Sequence, residues 1–425
     1  MKATIVPLIV GGLMLASGCV AAEPTIEVIQ DREDGLYHCG EEATFSLRLL
    51  DAEGAPQDAT VSYTLTLDGA KEFGAGELQV DAEAATVSYS LDRPGVLRCT
   101  AWTAVDDTRI YGFGGAAFDP QLIEPTAQAP ADFDEYWAAQ KALLAEIPMD
   151  AQIDERDAPE GVGALFKFSL ANINDERVSG WLALPEGDGP APAIMTFTAA
   201  GVSGISPATA TYWAERGFVS MHMIHHNFDV EISPEAAAEL KAGALLGYTH
   251  FGRESRETYY FRKVFLGCVR ALDLLTAQER WDGEHLIATG SSQGGGLSLC
   301  LAGLDGRITA VAANVPALCD HTGLQHDRPS GWPRLIPADD PHGPIAQVAP
   351  YFDAVNFSRR FAGATWMAVG LIDRTCPPMT VYSAYNVLSG PKKMLVFPQM
   401  GHAVPREYRT DREQWIMQQV GLGAQ

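Results

Sequence analysis

The segment Ile287-Ala288-Thr289-Gly290-Ser291-Ser292-Gln293-Gly294-Gly295-Gly296 sets a serine between two glycines in the pattern Gly-x-Ser-x-Gly. An apolar run precedes it and Leu297-Ser298-Leu299-Cys300-Leu301 follows, so a strand is expected to turn sharply into a helix with Ser292 at the apex. A side chain at either flanking glycine would collide with neighbouring backbone at such a bend. A serine hydroxyl becomes a competent nucleophile only when a base takes its proton. Two later residues offer that chemistry. Asp373 follows the apolar run 365–370, and His402 follows the run 394–397 through Pro398-Gln399-Met400-Gly401. In this order His402 would take the proton of Ser292 and pass it to a leaving alcohol, while Asp373 would fix the imidazole tautomer. Asp320 and Asp353 compete for the acid's role, since both precede the last two strands. The plainer alternatives are a glycine-rich helix start that binds an anion and, for Asp373, a cap or turn ahead of Pro377.

A negative charge developing on a carbonyl oxygen needs two backbone N–H donors. Gln293, directly after the nucleophile, supplies one. The other is expected from Thr198-Ala199-Ala200-Gly201-Val202-Ser203-Gly204, with Ala199 as donor and Ala200 next. A plain glycine-containing turn is the alternative there. His225-His226-Asn227 follow the run ending at Ile224 and fall near the rim of such a site. Adjacent residues do not share a face and no third ligand is evident, so no metal is expected. Acyl transfer to water by way of a serine needs no cofactor.

These residues require an α/β scaffold. Apolar runs at 193–197, 218–224, 286–289, 309–313, 365–369 and 394–397 read as strands. Helical spacing lies between them, as in Val264, Phe265, Cys268, Val269, Leu272 and Leu275. The alternation predicts a doubly wound, mainly parallel sheet. A helix near Asp132 or Asp134, with Phe133, Trp137, Leu143 and Leu144 apolar, opens this domain, assigned to 131–425. A Pro- and Ala-rich linker, 119–130, precedes it. Residues 24–118 alternate polar and apolar over 44–49, 60–67 and 85–91, with turn signals at Glu53-Gly54, Asp68-Gly69 and Arg93-Pro94-Gly95. A small immunoglobulin-like sandwich is expected there, as a packing module or, alternatively, a carbohydrate-binding module acting through Tyr37 or Trp102.

The chain has 425 residues, of which 47% are apolar, and a formal charge of −24. That is enough apolar material for a sizeable core, and the charge argues against nucleic acid as a partner. Lys2 and the apolar stretch 5–16 read as an export signal ending near residue 22. Cleavage before Glu23 competes with a lipoprotein-type signal, 1–18, that would leave a lipid anchor on Cys19. Either implies a periplasmic or extracellular protein. Export permits a disulfide between Cys39 and Cys99, with two separate thiols as the equal alternative. The four later cysteines read as core.

Several stretches resemble the acetyl xylan esterase and cephalosporin C deacetylase family of α/β-hydrolases. They are Tyr259-Tyr260-Phe261-Arg262-Lys263-Val264-Phe265, the segment around Ser292, Tyr351-Phe352-Asp353-Ala354-Val355-Asn356-Phe357, and Val369-Gly370-Leu371-Ile372-Asp373-Arg374-Thr375-Cys376-Pro377-Pro378. The resemblance spans about 130–420 and leaves out the β-rich front. It implies a triad of Ser292, Asp373 and His402, oxyanion donors at Gln293 and Ala199, and removal of acetyl groups from carbohydrates. It also implies a homo-oligomer, a hexamer in several members. The chain departs from the family pattern in three places. His225-His226-Asn227-Phe228 stands where Arg-Gly-Gln is usual, Ala403 where Glu follows the histidine, and Ala199 where Tyr is usual. The altered pocket leaves two other readings in play: a peptidase or an esterase for bulkier acyl or uronate esters, and an inactive surface protein that binds glycans.

Overall fold

The computed structural model describes residues 23–423. The export signal and Cys19 lie outside them. The front of the chain holds β1 (Thr25–Gln30), β2 (Leu36–Tyr37), β3 (Ala43–Leu50), β4 (Pro56–Gln57), β5 (Ala59–Leu67), β6 (Lys71–Val80), β7 (Ala85–Tyr89), β8 (Gly95–Val105) and β9 (Thr108–Phe118). They form two sheets. One joins β1, β3, β4 and β7, and the other runs β2-β9-β8-β5-β6. Alternating residues such as Phe45, Leu47, Val61 and Leu65 point inward and are buried between the sheets. Tyr37 is one of these buried residues. Its ring stacks on Phe118 and its hydroxyl donates to Asp31 at 2.7 Å, so it cannot serve as a sugar platform. Cys39 and Cys99 are both unpaired, which decides for two separate thiols.

The connection after Phe118 is docked along its length. Ile123 and Ala127 are buried, Asn386 holds the carbonyls of Pro120 and Ile123, and Asp320 accepts the N–H groups of Thr126 and Ala127. Helix α1 (Phe133–Ala145) follows.

Next come β10 (Gln152–Arg156), β11 (Val162–Ala171), β12 (Arg177–Pro185), β13 (Ala191–Phe197), α2 (Ala208–Ala214), β14 (Val219–Met223), α3 (Pro234–Ala242), α4 (Tyr260–Thr276), β15 (Trp281–Ser291) and α5 (Gln293–Leu304). The chain continues with β16 (Ala310–Asn314), α6 (Pro344–Val348), α7 (Ala354–Ser358), β17 (Ala364–Gly370), α8 (Pro378–Asn386), β18 (Lys392–Phe397) and α9 (Arg406–Gln419). Nine strands form one sheet in the order β10-β11-β12-β14-β13-β15-β16-β17-β18. From β14 onward every pairing is parallel. Helices cover both faces, so β13, β14 and β16 are buried throughout and read as unbroken apolar runs. The C-terminal ends of β13, β15, β17 and β18 therefore meet at one edge of the sheet, where open α/β sheets carry their sites. Among the described residues no helix is long and apolar enough to cross a membrane.

Candidate active site

Between β15 and α5, Ser292 takes φ 57° and ψ −120°. A non-glycine residue there carries on the order of 1–3 kcal/mol of strain and persists only where its surroundings hold it. Its N–H donates to Asn314 O at 3.0 Å, and its carbonyl accepts from Ala317 N at 2.9 Å and Gly296 N at 3.0 Å. The flanking glycines are required by close approach. A Cβ on Gly290 would lie 2.4 Å from the carbonyl carbon of Gly294, and a Cβ on Gly294 would lie 2.5 Å from Phe197 O. Strand, helix and the end of β13 thus close on one another, and the serine projects from the bend.

His402 Nε2 lies 2.9 Å from Ser292 Oγ, and His402 Nδ1 lies 2.7 Å from Asp373 Oδ2. Asp373 is fully buried, and its other oxygen accepts the N–H groups of Thr375 at 2.7 Å and Cys376 at 2.9 Å. The acid's loop is tied to the histidine's loop by Ile372 N donating to Met400 O at 3.3 Å. The two competing acids are engaged elsewhere. Asp353 caps α7 and accepts the N–H groups of Asp320 and His321, at 2.9 and 2.6 Å. Asp320 holds the docked connection and accepts from Ser383 at 2.6 Å. This arrangement can move a proton from the serine to the imidazole, with a fixed carboxylate behind it.

Asp373, Cys376 and His402 also bring ligand-type atoms within 4.8 Å of one another. Burial and the Asp373 carboxylate push the Cys376 thiol well above its ordinary range, with the Ser292 hydroxyl opposing. A thiol kept protonated is a poor ligand, and the carboxylate and imidazole already bind each other. The trio reads as part of the hydrogen-bond relay.

Gln293 opens α5, so its N–H has no helical acceptor, and Ala199 follows the strand end that α5 abuts. Neither N–H donates to another backbone group among the described residues. The paired histidines contact the side chain of Gln293 and the loop that carries Ala199. Tyr248 Oη donates to Gln293 Oε1 at 2.7 Å, Gln293 Nε2 donates to His225 Nε2 at 2.7 Å, and His225 Nδ1 donates to Thr198 Oγ1 at 3.1 Å. His226 Nε2 donates to Gly201 O at 2.9 Å and its Nδ1 accepts from Tyr260 Oη at 2.6 Å. Burial drives His225 well below the ordinary histidine range and His226 to about 4, so both rings are neutral. Proximity to the rim was legible in the sequence. Their partners, fifty or more residues apart from one another in places, were not.

Arg98 escaped the sequence reading. Its guanidinium pairs with Asp68 and donates to the backbone carbonyl of Asp373 at 2.8 Å, while Asp68 accepts Met379 N–H at 2.9 Å. The available signal was a lone arginine inside Val96-Leu97-Arg98-Cys99, an otherwise apolar strand.

A family model described as acetyl xylan esterase (AXE1) matches residues 121–419. Acetyl esterase Axe7A of Xylanibacter ruminicola is 30% identical over 400 residues, covering 92% of this chain and 90% of that protein. Coverage that high runs through most of the β-rich front as well. Among solved structures, acetyl xylan esterase from Paenibacillus sp. R4 is similar at a TM-score of 0.61 and 27% identity, covering 70% of this chain and 98% of that one. Acetyl xylan esterase 1 from Thermoanaerobacterium sp. JW/SL YS485 shares the fold at a TM-score of 0.60 and 22% identity, covering 70% and 97% of the respective chains.

Proposed function

The chain belongs to the acetyl xylan esterase family, and from that premise we propose how it works: as a serine esterase that removes acetyl groups from carbohydrates through an acyl-enzyme. Ser292 Oγ attacks the acetyl carbonyl carbon as His402 Nε2 takes its proton. The tetrahedral oxyanion is received by the N–H groups of Gln293 and Ala199. Collapse breaks the ester C–O bond, and His402 returns the proton to the leaving sugar hydroxyl. Water then gives its proton to His402 and attacks the acyl-serine, releasing acetate and restoring Ser292. Asp373 keeps His402 in the productive tautomer and stabilises its cation.

The observation that carries this reading is His402 standing between Ser292 at 2.9 Å and Asp373 at 2.7 Å. Hydrolysis of p-nitrophenyl acetate by purified protein, and by Ser292→Ala, is the test. Unchanged turnover in the variant, or failure of a fluorophosphonate probe to label Ser292, would end it.

Residues 24–118 are read as an immunoglobulin-like sandwich and 131–425 as the esterase domain. The N-terminal segment is read as an export signal, which suits a polymeric glycan met outside the cytoplasm.

A further inference from the structure

Beside the loop of Asp373 lies a cleft of about 930 Å³ between the front sheet and the segments 324–334 and 374–377. Its floor is the outer face of that sheet. Phe113, Thr100 and Thr64 stand opposite one another across β9, β8 and β5 and so share a face. Tyr111 is next along β9 on the same side and is 50% exposed, with its ring 6.3 Å from that of Phe113 and only 7° off parallel. Trp102, directly opposite Tyr111, extends the face. The result is a flat aromatic strip bordered by threonine hydroxyls.

The walls are basic, although the chain carries a formal charge of −24. Four arginines line the cleft, and Asp68 is the one acid lining it. Arg98 is neutralised by Asp68, and Arg328 approaches Asp320 at 3.5 Å. Arg334 and Arg374 are exposed and form no ion pair among the described residues. Arg334 donates to the Arg374 carbonyl at 2.8 Å, and the Arg374 guanidinium lies 4.7 Å from the Phe113 ring centroid. The Arg374 guanidinium thus stacks over Phe113 with Arg334 beside its backbone, and the exposed Tyr111 ring is the open part of the platform.

We propose that this cleft binds an acid-bearing carbohydrate, a glycan carrying a uronate, with the carboxylate on Arg334 and Arg374 and a pyranose face on Tyr111. The inference rests on the esterase reading above for its glycan class. Guanidinium forks match planar carboxylates and keep their charge at any working pH. An aromatic face offers the apolar surface that the C–H side of a sugar ring covers. The volume falls within the roughly 300–1,000 Å³ of ordinary small-molecule sites. Arg374 follows Asp373 directly, so the occupant would sit on the loop that bears the acid.

Calorimetric titration of full-length Ser292→Ala protein, which leaves acetyl groups uncleaved, tests this. The probes are a xylo-oligosaccharide substituted with glucuronic acid and the same oligosaccharide with the uronate reduced to glucose. The acidic ligand is expected to bind about tenfold tighter, and added salt should shrink the difference. In Arg334→Gln/Arg374→Gln the two ligands should bind alike, whereas Tyr111→Ala should weaken both. Equal affinity of the two ligands for the parent protein, or a preference that survives the double arginine change, would overturn the proposal. Both arginines are exposed, and an unchanged Tm certifies the fold of the variants. Hydrolysis of p-nitrophenyl acetate by wild-type protein separates the two ideas: a failed titration with hydrolysis intact sinks the cleft alone.

Discussion

Arg98, on a strand of the front sheet, donates a 2.8 Å hydrogen bond to the backbone carbonyl of Asp373, whose carboxylate holds His402. The front of the chain therefore braces the catalytic loop. Burial pushes Asp68 up to about 7, with the Arg98 guanidinium as the main opposing influence. Removing Arg98 alone would strand that carboxyl. Arg98→Met is expected to cost about 3–5 kcal/mol of stability, since breaking a buried pair leaves one member unpaired. Asp68→Leu/Arg98→Met should recover much of that stability while kcat stays lowered, because the brace on Asp373 is still missing. Urea unfolding and steady-state kinetics on both variants check this, and a double variant with full kcat would contradict it.

Asp373→Asn keeps the shape of the loop but presents an amide to the imidazole and selects the wrong tautomer. A fall in kcat of about 10⁴-fold is expected, with KM little changed. Comparable losses in Asp320→Asn or Asp353→Asn without loss of stability would mean that the acid has been misassigned.

His225 bridges the side chains of Gln293, one proposed oxyanion donor, and of Thr198, which precedes the other, Ala199. His225→Ala is expected to lower kcat by about 10–100-fold through misplaced donors, with KM close to wild type. Affinity for a boronic-acid analogue of the tetrahedral state should fall in parallel. A pure change in KM would assign His225 to substrate binding instead.

The pH prediction concerns His226, held near 4 by burial. An unfolded histidine takes up a proton near 6.5. Between these values the unfolded chain binds more protons, so the stability His226 contributes is fully present above about pH 6.5 and is lost as pH falls toward 4. The effect is on the order of 3 kcal/mol. His226→Gln should shrink the drop in Tm between neutral and mildly acid solution relative to wild type. An unchanged drop would contradict the prediction. Ring-proton NMR would then show His226 titrating near its ordinary value.

Local order along the chain was enough to determine the chemistry at Ser292. Gly290 and Gly294 announce the bend because only a missing Cβ lets β15, α5 and β13 approach, and that constraint acts within a few residues. The alternation of apolar runs and helical spacing likewise determined the parallel sheet, since burial on two faces leaves unbroken apolar strands such as β13. Where local pattern failed, the reason lies in partners distant along the chain. Strand β6 carries Gly74 and Gly76 and buries only Val80, and β10 exposes nearly all of Gln152–Arg156, so neither shows a clean period. Tyr37 reads as an exposed aromatic until Asp31 and Phe118 enclose it. Asp320 and Asp353 precede the last two strands and Asp373 follows the first of them, and only the packing of β17 beside β18 decides which carboxylate faces His402. The use of His225, and the reach of Arg98 across 275 positions to Asp373, exist only once the sheets have stacked. Hydrogen bonds are short-range and chain-blind, so their partners are chosen by packing rather than by nearness in sequence.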